Sequence, residues 1–118
     1  MRHVQIAEAC ARAAHDVNNR YNDAIGDPLA PPWEDMTDAQ RAGVVAGAAH
    51  AIAGGTAEGS HALWMKSREA EGWTYGPVKS FEAKVSPCLL PYADLPEAQR
   101  RKDALFQSVV RGMYEALR

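Results

Sequence analysis

The sequence predicts a mainly α fold: one compact domain of about four helices, with an ordered, irregular, aromatic-rich segment between the last two that has room for a short β pairing. Three observations predict it. Apolar residues recur at intervals of three and four over three stretches while cap and stop signals bound a fourth, glycines and prolines cluster between those stretches, and 118 residues suffice for one hydrophobic core but not two. Residues 1–118 therefore read as a single domain.

From Val4 to about Ile25, the residues Ile6, Cys10, Ala13, Val17, Tyr21 and Ala24 form the stripe of a first amphipathic helix. "GDPLAPPWED" then fixes or frees the backbone at too many positions for helix to continue, and Trp33 is the expected anchor of this loop. Thr37 and Gln40 have capping-box spacing, and a second helix follows to about Ala53 with Val44, Val45, Ala48, Ala49 and Ile52 on one side. Gly54-Gly55 stops it. Thr56 caps a third helix, Ala57 to Glu71, which Gly72 ends. Trp73 to Leu95 is neither helical nor alternating, with a short helical turn expected around Phe81 to Lys84. Pro96 opens the last helix, whose buried stripe is Leu105, Phe106, Val109, Val110, Met113 and Leu117. No internal repeat is evident.

Composition narrows the function classes. The 47% apolar and 24% charged content is that of an ordinary soluble protein, but alanine supplies much of the apolar share, so the core should be thin. A net charge of −2 without long runs of either sign supports neither nucleic acid nor an anionic membrane as partner. Cys10 and Cys88 are far apart and lack metal-site spacing, which fits a reduced, cytoplasmic setting without disulfides. The N-terminus has no signal-peptide core, and no stretch reaches the roughly 18 apolar residues of a membrane span. His3, His15, His50 and His61 are scattered, so no metal or other cofactor is expected, and no nucleophile with an evident base emerges.

The positions that carry chemistry cluster. His61, Trp64 and Arg68 share one face of the third helix, where the guanidinium can pair with a carboxylate or phosphate and the indole can stack on a ring. The plain packing account makes Trp64 core, lays Arg68 along it and gives His61 a backbone carbonyl. In "EGWTYGPVK", Trp73 and Tyr75 either plug the thin core, at ~2–3 kcal/mol each, or wall a pocket. His15, Asn18, Asn19 and Asn22 give the first helix an almost uncharged polar face, which either meets a ligand or bridges loops.

Residues 60 to 106 resemble the RyR domain, the repeat of ryanodine receptors also found in small bacterial and phage proteins. The match rests on His61, Trp64, Arg68, Gly72-Trp73, Tyr75-Gly76, Lys84, Pro87, Leu89, Pro91-Tyr92, Leu95 and "LPEAQRRKD". Upstream, "HDVNN" and "PPWED" are similar to elements of the stand-alone prokaryotic branch. The histidine that the family places before a proline is Ser86 here. The resemblance implies a mostly helical, noncatalytic module. It also implies an adenine-nucleotide site of the kind reported between paired repeats in the channels, and sensing of nucleotide-derived signals as proposed for prokaryotic members.

The expected function is thus noncatalytic recognition of a small molecule, a nucleotide or its derivative. His61, Trp64, Arg68, Trp73, Tyr75, Lys79, Tyr92, His15 and Asn18 are its candidate contacts. The rival is a protein-interaction or assembly module, including a homo-oligomer, that uses the aromatic patch.

Overall fold

A computed structural model describes residues 2–118. Its four helices are α1 (His3–Ile25), α2 (Asp38–Ile52), α3 (Ala57–Ala70) and α4 (Glu97–Leu117). Two-residue strands β1 (Thr74–Tyr75) and β2 (Val85–Ser86) pair in parallel, Thr74 with Val85 and Tyr75 with Ser86. Short 3-10 turns at Trp33–Asp35 and Tyr92–Asp94 precede α2 and α4.

The helix boundaries follow the local chemistry. At α2 the Thr37 hydroxyl accepts from Gln40 N–H at 3.1 Å while the Gln40 amide oxygen accepts from Thr37 N–H at 2.9 Å, the reciprocal cap that the spacing predicts. Thr56 caps α3 by accepting from Gly59 N–H at 3.0 Å. Past its other end, Gly72 takes φ 89, a left-handed angle that a side chain would resist.

The core sits where α1 crosses α2 and α4. Ile6, Cys10, Ala11 and Ala14 of α1 meet Ala48 and Ala51 of α2, Val110 of α4, and Trp33 and Met36 from the intervening loop. The buried face of α1 is rotated from the expected stripe: Ala7, Ala11 and Ala14 are buried, Ala13, Val17 and Tyr21 only partly, and Ala24 is exposed. On α2, likewise, Ala49 is exposed and Ala51 buried. Alanine explains both shifts, since a methyl lets neighbouring backbones approach closely and the helices pack on their smallest side chains rather than their largest. With so little volume per residue, the one indole in this cluster matters. Burying Trp33 contributes on the order of 4 kcal/mol by apolar area.

The segment after α3 is ordered by its rings and turns. Trp73 is buried and packs edge-on against Phe81, ring centroids 5.7 Å apart. A Cβ at Gly76 would overlap the Val85 side chain, so only glycine lets this chain pass beside β2. Residues 81–84 form a bonded turn rather than the expected helical one. Ser80 and Val85 exchange both backbone hydrogen bonds across it, and Lys84 closes it in the left-handed region at φ 55. The Lys84 ammonium then donates to the Glu71 carbonyl at 2.8 Å, tying the turn to the end of α3.

An internal repeat, not expected from the sequence, emerges in three dimensions. "APPWEDMTDAQR" at 30–41 and "LLPYADLPEAQR" at 89–100 take the same path: proline, 3-10 turn, an extended residue, then a helix. Asp35 N–H donates to the Pro32 carbonyl and Asp94 N–H to the Pro91 carbonyl, both at 2.9 Å. A histidine from the preceding helix meets the chain just before each turn, His15 Nε2 at the Pro31 carbonyl and His61 Nε2 at the Leu90 carbonyl, both at 2.7 Å. Each imidazole also lies 6.1 Å from the ring that opens its turn, Trp33 or Tyr92.

Candidate functional site

The repeat brings two helix faces to one cleft. His15, Asn18 and Asn22 on α1 have the spacing of His61, Trp64 and Arg68 on α3, and all six line a cavity of about 340 Å³. The helices that follow the two corners complete it with equivalent positions: Gln40, Gly43 and Gly47 from α2, and Gln99, Lys102 and Phe106 from α4. The two halves share geometry but not chemistry. The first offers amides and glycines, the second an indole, a benzene ring and cations.

On the α1 side, Asn19 bridges the loop as a clamp, its amide accepting from Ala30 N–H at 2.9 Å and donating to the Ala30 carbonyl at 3.0 Å. His15 is committed to Pro31 in the same way. Asn18 and Asn22 differ, because each has a buried side-chain oxygen without a hydrogen-bond partner among the described residues, and Asn22 is 94% buried by its 6% residual exposure. Such an oxygen costs about 1–3 kcal/mol unless a donor reaches it. Bridging a loop, one of the two uses expected for this polar face, is what His15 and Asn19 do.

On the α3 side, His61 is buried between two acceptors: Nε2 faces the Leu90 carbonyl, and Nδ1 faces the Asp103 carboxylate at 3.3 Å. A neutral imidazole donates from only one nitrogen, so this arrangement favours the imidazolium. Burial works against that charge, but the Asp103 hydrogen bond, the Leu90 carbonyl and the carboxylate's charge together hold the pKa above the ordinary histidine value. The ring stacks on Trp64 at 5.5 Å with a 24° interplanar angle, so the indole is presented to the cleft on a fixed support.

Arg68 is held between two indoles, its guanidinium carbon 5.7 Å from the Trp64 ring centre and 4.7 Å from that of Trp73. Its nearest carboxylate is Glu71, half-exposed and 3.8 Å away, which is no buried brace. Burial lowers the Arg68 pKa, with Glu71 opposing that shift. Lys79 is also half-buried in the cleft, with its ammonium 4.9 Å from the centre of the Phe81 ring. Burial lowers its pKa first, and the positive charges of Lys102 and Arg68 act in the same direction. Lys102 itself is satisfied by Asp27 at 2.7 Å, which also accepts from Gln99 at 2.8 Å. Those two donors and the charge of Lys102 hold the Asp27 carboxyl below its usual range despite burial.

Six of the nine expected contacts thus line the cleft: His15, Asn18, His61, Trp64, Arg68 and Lys79. Three stand apart from its wall. Trp73 is the plug under Arg68, buried rather than facing the cleft. Tyr92 backs His61. Tyr75, the last residue of β1, is 57% exposed and lies outside the cleft wall. Gln99, Lys102 and Asp103 also line the cleft and were not expected, and Asn22, part of the expected polar face but not of the nine contacts, joins them. Asn22 continues the His15–Asn18 face by one turn, a signal the sequence did hold. Lys102 and Asp103 sit in "QRRKD", which reads as a solvated charge run. The absent family histidine has a simple outcome: Ser86 is buried and its hydroxyl accepts from Cys88 N–H at 3.1 Å.

The family model described as the RyR domain matches residues 38–115, from the start of α2 to the last turn of α4. The matched span carries the Trp64–Arg68–Lys79 wall whole, while α1 with His15, Asn18 and Asn22 lies ahead of it. Together with the residues that suggested the resemblance, this match establishes that the chain belongs to the RyR domain family.

Proposed function

We propose that this chain is a noncatalytic recognition domain whose cleft holds a small, ring-bearing anion of the nucleotide class. One observation carries the reading: a stacking surface, Trp64, and two cations, Arg68 and Lys79, share a single cavity with the buried, unpartnered amide oxygens of Asn18 and Asn22. The ring matches the indole, the anion the cations, and ring or sugar donors the amides. At about 340 Å³ the cavity lies in the lower part of the roughly 300–1,000 Å³ range of small-ligand sites.

Recognition rather than catalysis is supported by what the reactive groups are doing. Both ring nitrogens of His61 are engaged, leaving no free base there. Ser60 accepts from the buried Gln107 amide at 2.6 Å, and burial pushes the Cys88 thiol up, against the pull of Lys102 and Lys79. The exposed Tyr75 and Val78 are what the rival docking role would use, but scattered exposed apolar side chains are ordinary on a folded surface. The free thiols Cys10 and Cys88 fit a reducing compartment such as the cytoplasm, and no described helix is long and apolar enough to cross a membrane.

A thermal-shift screen against nucleosides, nucleotides and cyclic nucleotides tests the reading. A ligand at a hundredfold excess over its Kd adds about 2.7 kcal/mol to the folded state, which raises Tm by several degrees. A melting temperature unmoved by the whole panel would contradict it.

A further inference from the structure

The charges lining the cleft are paired almost to completion. His61 faces Asp103, Arg68 is beside Glu71, and Lys102 is bonded to Asp27. Lys79 has no carboxylate within ion-pair distance among the described residues, and its ammonium rests over the Phe81 ring. A half-buried ammonium without a counter-ion is costly, because little water reaches it and a ring face replaces only part of its hydration. One negative charge brought by a ligand relieves that cost. A second has no cation left. It would have to break Lys102 from Asp27 or displace Glu71, whose carboxylate also lines the cleft and repels an added anion.

We propose that the cleft selects a ligand with one net negative charge, a phosphodiester such as a cyclic mononucleotide rather than a phosphate monoester, and that Lys79 supplies the matching charge. This rests on the nucleotide reading above and adds its charge class. Arg68, fixed between two indoles, is placed to share hydrogen bonds with the same group, whereas Lys79 sets the charge count. The remaining contacts do not depend on charge, so ring stacking on Trp64 and donors to Asn18 and Asn22 are common to all ligands of one base.

The test is isothermal titration of the full chain with matched sets: each ribonucleoside, its 3′,5′-cyclic monophosphate and its 5′-monophosphate, at low ionic strength. At pH 8 the 5′-monophosphate is close to a dianion, since its second ionisation lies near about pH 6. For at least one base, the cyclic monophosphate binds on the order of tenfold or more tighter than both the nucleoside and the 5′-monophosphate. At pH 5, where the 5′-monophosphate is a monoanion, the gap between the two phosphates closes. Lys79→Gln brings the cyclic monophosphate down to the affinity of the nucleoside, and Lys79→Arg keeps the preference. If Lys79→Gln does not fold, the pH 5 and pH 8 comparison on the parent chain decides alone. A 5′-monophosphate that binds as tightly as the cyclic form at pH 8 overturns the charge inference and leaves the nucleotide reading standing. Absence of binding across every set overturns both.

Discussion

The two proline corners of this molecule are built alike and used differently. At the first, the loop from α1 to α2 is short, Trp33 is driven into the core, and the imidazole of His15 and the amide of Asn19 hold the chain by its carbonyls. At the second, the corresponding ring, Tyr92, stays half-buried against His61, the loop is extended by the strand pair, and the indole that matters is Trp64 on the helix. The corner geometry is therefore a folding device common to both halves. Only the second half carries the indole and the cations that the proposed recognition would use. The cleft between the halves consequently has a polar, neutral wall and an aromatic, cationic wall, which suits a ligand with two unlike ends.

The largest expected difference between the corners is in stability. Trp33→Ala should cost about 3–5 kcal/mol, the range for emptying a buried aromatic site, and Tyr92→Ala clearly less because its ring is half-exposed. Trp73→Ala, which removes the plug beneath Arg68, falls in the Trp33 range. Urea unfolding of the three variants checks this. Equal losses at Trp33 and Tyr92 would mean that both corners are core.

A smaller effect is expected at Arg68. With two ring faces but only a half-exposed carboxylate 3.8 Å away, Arg68→Ala should lower stability by about 1–2 kcal/mol, the worth of partly desolvated cation–π contacts. A loss of about 3–5 kcal/mol in denaturant would instead identify a buried ion pair and remove Arg68 from the ligand wall.

His61 sharpens the contrast through pH. Its folded pKa is raised above the unfolded value of about 6.5, so its contribution is complete below that pH and is lost as pH rises through the folded pKa. The groups facing it are Asp103 from α4, the Leu90 carbonyl, and the rings of Trp64 and Tyr92. Urea midpoints should fall across this alkaline step in the parent and lose the step in His61→Gln. A parent without the step would show that His61 is neutral when folded. The smallest effect concerns redox: Cys10 is buried and Cys88 half-buried, both as free thiols, so a reductant should leave Tm unchanged.

How much was legible in the sequence varies with what each residue has to satisfy. The four helices were, because caps and apolar spacing are local, and Thr37–Gln40 closes in the structure as its spacing predicts. The buried face of α1 was not, since in an alanine-rich helix the partner's position, not side-chain size, chooses the face that is buried. On α3, the spacing of His61, Trp64 and Arg68 placed them together correctly, yet it could not show that His61 is spent on Leu90 and Asp103. Tyr75 lies outside the cleft, and no local pattern announced it, because both residues of the two-residue strand β1 are exposed and show no buried face. The repeat did leave a trace in the sequence, a shared proline, a shared aspartate and a common "AQR", but the residues that anchor and cap each corner differ. Trp33 answers Tyr92, and Thr37 answers Pro96.

Tryptophan fluorescence tests the central claim most directly, because Trp64 lines the cleft while Trp33 and Trp73 are buried away from it. Titration with the tightest-binding nucleotide should change the emission of the parent, and Trp64→Phe should bind the same nucleotide by calorimetry with that change lost. An emission change that survives intact in Trp64→Phe, or calorimetric binding that leaves the parent's emission untouched, would contradict ligand recognition on the Trp64 wall.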